Sequence, residues 1–237
     1  MSEKIIDIHT HVLPAMDDGC STVEESLQLL SELSRQGVTA VAATPHFYAD
    51  RENPSSFLTR RQKTLSALTE KLDFDLTLLP GAEVCYYQGV SRTEELPEFA
   101  IGSSELVLLE MPFYDWTPSV INEVFSIQRD RKLNVVIAHI DRYLSRKNMA
   151  HIESLLDFGV LFQINATAFL DKKKRSAALD LLKKKTVHFI ASDCHNMTSR
   201  PPKLRDAYDV IEKKLGYKYL EWLSDCEKYI TKRGIAD

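Results

Sequence analysis

The chain has no basic excess. Lys+Arg 30 against Asp+Glu 34 leaves a formal net charge of −4 and a pI near 6.0. General nucleic-acid binders and membrane-surface binders need the opposite balance, so neither partner is expected. Long apolar runs are also missing. The longest are only several residues, and a helix needs about 20 to cross a bilayer, so no membrane insertion is expected. Cysteine is sparse: Cys20, Cys85, Cys194 and Cys226 lie far apart and form no C-x-x-C pair. That excludes a disulfide framework and fits free thiols in a reducing compartment. The opening residues, MSEKIIDIHTH, carry no apolar signal segment, so the expected location is cytoplasmic. Gly/Ser-rich and Pro-rich linkers are absent, as are internal repeats. The expectation is one domain over residues 1–237, long enough to bury a substantial core.

What is present is an alternation of short β-rich apolar runs with longer helical patterns. The runs are Lys4–Ile8, Thr39–Thr44, Asp75–Leu79, Leu106–Glu110, Asn134–Ala138, Val160–Ile164 and Thr186–Ala191. Most are apolar at both parities, as suits strands covered on both faces. Helices are expected over Thr22–Gln36, Ser55–Leu72, Pro118–Lys132, Asn148–Phe158, Arg175–Lys185, Leu204–Leu215 and Tyr217–Thr231. The first opens with a capping box, Thr22-x-x-Glu25, and stops at Gly37. Such alternation implies parallel strands with right-handed crossovers, hence a compact α/β domain built as a closed barrel or an open sheet. Tyr86–Glu105 is the least regular stretch and reads as a long connection. The basic runs Lys172–Arg175 and Lys183–Lys185 read as a solvated helix face.

The polar residues gather at the C-terminal ends of these runs. Run one ends in Asp7-Ile8-His9-Thr10-His11, and Asp17-Asp18-Gly19 follows in its loop. Run two ends in Thr44-Pro45-His46, run three in Gly81-Ala82-Glu83, and run four in Leu109-Glu110. Run five ends in Ala138-His139-Ile140 and run seven in Ser192-Asp193-Cys194-His195. Strand alternation predicts that His9 and His11 point one way and that Ile6 and Ile8 point the other. In parallel α/β folds all these ends share the face where sites are built. Five of the seven histidines converge there; His151 and His188 read as structural. A single histidine at a strand end is an ordinary hydrogen-bonded side chain. Five with four carboxylates, each after an apolar run, call for a compensating cation.

Charge sets the number of ions. Glu83, Glu110, Asp18 and Asp193 carry about −4, and imidazole ligands are neutral. One divalent ion would leave the cluster strongly negative. Three would leave about +2, with three protein ligands apiece and positions open for substrate. A positive site favours an anionic substrate, and a phosphate ester fits best. Mixed imidazole and carboxylate ligands suit manganese, iron or zinc.

The order H-x-H, Asp-Asp-Gly, T-P-H, G-A-E, Leu-Glu, A-H-I-D-R and S-D-x-H-N, with Arg200-Pro201-Pro202 after it, resembles the polymerase and histidinol phosphatase (PHP) family. Within it, the chain is similar to the bacterial capsule-type tyrosine phosphatases. The resemblance spans Ile6 to about Tyr208. It implies a distorted (β/α)7 barrel and a trinuclear centre, manganese first, held by His9, His11, Asp18, His46, Glu83, Glu110, His139, Asp193 and His195. Asp17, next to Asp18, leaves that one ligand open between two neighbours. It places two phosphate-binding arginines on Arg142 and Arg200. The implied reaction is attack of metal-bound hydroxide on phosphotyrosine, with Asp193 or His195 available to protonate the phenolate. The implied partner is the phosphotyrosine tail of a bacterial kinase controlling capsule or exopolysaccharide export. Phe47, Tyr48 and Phe113-Tyr114-Asp115-Trp116 offer aromatic walls for the substrate ring or packing at the barrel mouth.

Rival readings have definite marks. Cys194 to Arg200 matches C-x5-R, the pattern of thiol-based tyrosine phosphatases, but the segment has no glycine to turn its amides inward, and Pro201-Pro202 remove two donors just beyond it. Histidinol-phosphate phosphatase would use nearly the same site. An amidohydrolase also begins with H-x-H but lacks this run of glutamates. A non-catalytic metal-binding regulatory module would hold metal without turnover.

Overall fold

The computed structural model describes residues 5–231; Lys4 of the first predicted run lies outside them. In chain order the elements are β1 (Ile5–Thr10), α1 (Val23–Arg35), β2 (Val38–Ala43), β3 (His46–Phe47), α2 (Pro54–Thr69), β4 (Thr77–Pro80), β5 (Glu83–Cys85), β6 (Leu106–Glu110), α3 (Pro118–Arg131), β7 (Asn134–Ile137), α4 (Arg146–Asp157), β8 (Leu161–Asn165), α5 (Ala166–Leu170), α6 (Arg175–Lys183), β9 (Phe189–Ala191), α7 (Leu204–Leu215) and α8 (Lys218–Thr231). Tyr86–Glu105 forms two short 3-10 turns, Val90–Arg92 and Leu96–Phe99.

Every strand pair is parallel. The strands run in the orders β1-β2-β4 and β3-β5-β6-β7-β8-β9. Beyond the ends of two expected runs, Thr39–Thr44 and Asp75–Leu79, the chain rejoins the ladder as a second short strand. β2 resumes as β3 after Thr44-Pro45, and β4 resumes as β5 after Gly81-Ala82. Pro45 lacks an N–H, which breaks the ladder there. At Gly81 a Cβ would sit 2.9 Å from Thr44 Cγ2. The sheet curls until its ends meet: Asp193 N donates to His9 O at 2.9 Å and His11 N donates to Cys194 O at 3.0 Å.

Local sequence accounts for the helices. Thr22 Oγ1 accepts from Glu25 N, while the Glu25 carboxylate accepts from Ser21 N at 2.7 Å. Gly37, at φ +89, ends the turn after α1 in a conformation that glycine adopts freely. Asn53 caps α2, with Pro54 at its first position. The last predicted run shortens to Phe189–Ala191. Lys185 is left-handed at φ +56 and Thr186 N returns to Leu181 O, so these residues close α6 instead of opening a strand.

Two apolar clusters flank the sheet. The larger lies between strands and helices. The smaller fills the inside of the curl with Ile6, Ile8, Ala40, Ala42, Leu79, Leu106, Leu108, Val136, Ala138, Leu161, Phe189 and Ala191, and Cys226 and Ile230 of α8 extend it. Burying each larger aliphatic side chain contributes about 1.5–3 kcal/mol before ordering costs. This cluster is also the floor of the site. Along β4–β5, β6 and β9, the next inward residues after it are Glu83, Glu110 and Asp193, in two-residue steps.

Candidate metal centre

Two backbone irregularities turn ligands into this rim. In β1, Ile6 pairs with Ala40 and Asp7 with Val41, but Thr10 pairs with Ala43. Three steps along β1 therefore match two along β2, which is a bulge. Strict alternation predicted Ile8 and His9 on opposite faces. The bulge corrects this: Ile6 and Ile8 belong to the inner floor, and His9 and His11 stand on the same inner side, their Nε2 atoms 3.2 Å apart. Asp7, fully buried, secures the irregularity by accepting from His9 N at 3.3 Å and Ser192 N at 3.1 Å. Burial pushes its carboxyl up to about 6. In the second irregularity, Ala138 belongs to the floor, yet its neighbour His139 also reaches inward because its φ is +33. Asp193 is likewise left-handed at φ +51. Such non-glycine conformations cost energy and persist where the surroundings impose them.

All nine residues singled out as ligands meet. Glu83 Oε2 lies 3.1 Å from His9 Nε2, 3.4 Å from His11 Nε2 and 3.0 Å from His46 Nδ1. His139 Nε2 lies 2.9 Å from Glu83 Oε1 and 3.2 Å from Glu110 Oε1. Asp193 Oδ1 is 3.4 Å from His11 Nε2, and Asp18 Oδ1 is 3.4 Å from His195 Nε2 and 3.7 Å from His46 Nε2. Three groups have ligand atoms within 4.8 Å of one another: His11, Asp18, His46 and His195; His9, His11 and Asp193; His46, Glu83 and Glu110. His11 and His46 are shared. His139 joins the third group through its contacts with both glutamates.

The adjacent aspartates divide. Asp17 faces away from these groups: its Oδ2 accepts from His11 Nδ1 at 2.7 Å and His46 N at 2.9 Å, and its Oδ1 accepts from Gly19 N at 2.9 Å. Asp18 supplies the atom that joins the cluster. Gly19 is required by close approach, since a Cβ there would lie 2.2 Å from His11 O.

β8 carries two residues in contact with the cluster that the sequence pattern did not single out. Gln163 and Asn165 follow Leu161 on the inner face. Gln163 Oε1 accepts from His139 N at 2.7 Å and contacts His9 Nδ1 at 3.2 Å. Its amide donates to Asn165 Oδ1, and Asn165 Nδ2 donates to Asp193 Oδ2, each at 2.9 Å or 2.7 Å in turn. With Nδ1 donating to Gln163, His9 keeps Nε2 as a lone-pair donor. The signal was a polar i, i+2 pair inside an apolar run.

Arg142 and Arg200 sit at the mouth on opposite oxygens of Asp193. Arg142 Nη2 is 2.7 Å from Oδ2, and Arg200 Nη2 is 2.7 Å from Oδ1. Cys194 turns the other way into the apolar core, fully buried, and burial raises its thiol pKa well above the ordinary value. It is neither accessible nor a thiolate, so the C-x5-R reading fails. The aromatic walls divide as well. Phe47 and Trp116 are buried packing residues, Phe113 and Tyr114 are exposed, and Tyr48 stands beside His46 with ring centroids 5.1 Å apart.

The donor set fits cations. Glu83 Oε2 and His46 Nδ1 are buried and lack a hydrogen-bond partner, although they lie 3.0 Å apart. They aim at each other without hydrogen-bond geometry, as atoms around a shared ion do. Burial alone would raise Asp193 and Glu83, but the surrounding imidazoles, His11 donating a hydrogen bond to each, hold both well below the carboxylate range. His195 goes down to about 4, through burial first, then His11 and Arg200. Against their burial, the carboxylates around them hold His11, His46 and His139 up, His139 to about 9, so binding of an ion there would release protons.

Comparison with known proteins agrees with this geometry. Residues 5–228 match the model of capsular polysaccharide synthesis proteins CpsB/CapC. The chain belongs to the CpsB/CapC family. Among its members, tyrosine-protein phosphatase CpsB of Streptococcus pneumoniae is 32% identical over 225 residues, covering 90% of this chain and 92% of its own. Tyrosine-protein phosphatase YwqE of Bacillus subtilis is 30% identical, covering 90% and 85%. A crystal structure from work on YwqE and CpsB, described as unique metal-dependent tyrosine phosphatases, superposes with a TM-score of 0.84 at 27% identity, over 98% of this chain and 96% of that one. The phosphotriesterase homology protein of Escherichia coli shares the fold at a TM-score of 0.57 and 11% identity. The PHP resemblance of the sequence thus resolves to its CpsB/CapC branch.

Proposed function

We propose that this CpsB/CapC member is a metal-dependent protein-tyrosine phosphatase, and that its curled sheet is a distorted (β/α)7 barrel, one domain over the chain, whose mouth is the active site. One observation carries the reading: three overlapping histidine–carboxylate groups lie directly beneath two arginines that share Asp193. His9, His11, Asp18, His46, Glu83, Glu110, His139, Asp193 and His195 would hold three divalent ions, manganese first, with iron or zinc as other fits. Bound there, such ions supply Lewis acidity toward a phosphoryl oxygen and lower the pKa of water.

The chain's own residues do the rest. Arg142 and Arg200, about a third exposed at 31% and 37%, present planar guanidinium forks to the phosphoryl oxygens. Asp193, ionised, holds both forks in register. His195 Nε2 lies 2.7 Å from Arg200 Nη1; with that lone pair given to an ion, the Arg200 fork would be released to the phosphoryl group. As ligands, Asp193 and His195 would have no proton to spare, so tyrosinate, a fair leaving group, takes its proton from solvent. Phe113, 68% exposed and nearly parallel to the His139 ring at 6.4 Å, offers an apolar face to the substrate ring. An open mouth of this kind suits a flexible phosphotyrosine tail of a bacterial kinase in capsule or exopolysaccharide synthesis, in the cytoplasm. No described helix is long and apolar enough to cross a membrane.

The test is turnover of a phosphotyrosyl peptide and of histidinol phosphate after chelation and re-addition of manganese. The reading expects chelator-sensitive, manganese-restored hydrolysis of the peptide, far faster than of histidinol phosphate. It also expects severe loss in His46→Ala and Glu83→Ala. Preference for histidinol phosphate would make the chain a small-molecule phosphatase; metal binding with no turnover would make it a regulatory module.

A further inference from the structure

Beside the metal centre lies a cavity of about 350 Å³, whose lining includes Asp18, His46, Tyr48, Arg51, Glu52 and Arg60. It shares Asp18 and His46 with the cluster, so any group entering it sits next to the reacting phosphate. Its two cations differ. Arg60 is committed: it holds Glu52 through Nη2 at 2.6 Å and Nε at 3.2 Å, and Nη1 donates to Met16 O at 3.2 Å. Arg51 has no carboxylate partner among the described residues. Its guanidinium carbon rests 4.2 Å from the centroid of the Tyr48 ring, and Tyr48 in turn stands against His46. The turn is fixed from behind, since Arg51 N and Glu52 N both donate to Tyr48 O, at 3.0 Å and 3.2 Å.

A guanidinium placed by an aromatic face, with its donors free and facing a cavity, is built to take an acceptor from outside the chain. We propose that this cavity is a subsite for the residues flanking the phosphotyrosine, and that Arg51 selects an acidic side chain there. The inference rests on the phosphatase reading. It explains why the cation is free: Asp18 and Glu52 line the same cavity but are turned to His195 and Arg60, which leaves Arg51 to read charge.

The experiment uses metal-loaded full chain and two phosphotyrosyl peptides, one flanked by glutamates and one by lysines, with p-nitrophenyl phosphate as a substrate lacking flanks. Wild type is expected to favour the glutamate peptide in kcat/KM by about two- to fivefold, the size an exposed ion pair supports. The preference should sit in KM and shrink as salt is raised. Arg51→Glu should reverse the order of the two peptides, and Arg51→Gln should erase it. Arg51 is exposed, so both variants are expected to fold, which thermal melting checks. Equal ranking of the peptides by wild type and Arg51→Glu, or no ranking by wild type, would overturn the subsite. Absence of turnover by wild type on all three substrates would instead overturn the phosphatase reading, and the subsite with it.

Discussion

Asp17 accepts the Nδ1 proton of His11 at 2.7 Å. That contact fixes the imidazole so that Nε2 faces Glu83 and Asp193, and it separates Asp17 from Asp18, which two adjacent identical residues could not do in sequence. Partners of this kind typically change metal affinity by about 10–100-fold. Asp17→Ala is expected to weaken metal binding by that amount while keeping the number of ions per chain. Asp18→Ala removes a proposed ligand and is expected to lower the number. Metal titration by calorimetry reads both, and an unchanged affinity in Asp17→Ala would contradict the assignment.

Gln163 is expected to behave as a support for two ligands at once. Gln163→Leu leaves the buried His139 N–H without its acceptor and frees the His9 ring. An unpaired buried donor costs about 1–3 kcal/mol, so the melting temperature should fall, and metal affinity should fall by about 10–100-fold. Gln163→Glu keeps the acceptor oxygen and should recover much of the affinity. Equal affinity in Gln163→Leu and wild type would show that β8 plays no part in the site.

Cys194→Ser is expected to keep both metal content and turnover. The thiol is buried in the core, so placing a hydroxyl there should cost stability by about 1–3 kcal/mol without touching the chemistry. Loss of all turnover in a folded, metal-replete Cys194→Ser protein would revive the thiol route.

His188 is expected to make the fold acid-sensitive. Its Nδ1 accepts Phe162 N at 3.2 Å, and burial pushes its pKa down to about 4 from an unfolded value near 6.5. Between these values the unfolded chain takes a proton that the folded chain refuses. The stability is therefore full above pH 6.5 and is lost as pH falls toward 4. At pH 5 the loss from this group is about 2 kcal/mol. His188→Gln keeps an acceptor for Phe162 and should show a smaller drop in urea midpoint from pH 7 to pH 5. A drop equal to wild type would remove His188 as the cause.

Much of the site was legible because its residues are of rare types at repeated places. His46, Glu83, Glu110 and Asp193 each follow an apolar run, and parallel strands must bring those ends together. What sequence did not show came from backbone geometry. A period-of-two pattern assumes an unbroken ladder, so it put Ile8 and His9 on opposite faces, and the β1 bulge puts them on one. The short strands past Pro45 and Gly81-Ala82 went unread because two or three paired residues are too short a pattern to show a period. Gln163 and Asn165 escaped notice because a neutral amide in an apolar run carries no charge signal, although its buried hydrogen bonds reach His9, His139 and Asp193. Phe47 and Trp116 were ambiguous by type alone; only packing, against Phe57 and Phe99 for the first and Tyr143 for the second, makes them core.

The most direct test of the whole account is anomalous diffraction from crystals grown with manganese. Three separate peaks are expected, one within each histidine–carboxylate group, with Asp17 outside ligand distance of all of them. Crystals soaked in manganese that show no peak among these nine side chains, with Glu83 and His46 still facing each other across 3.0 Å, would contradict it.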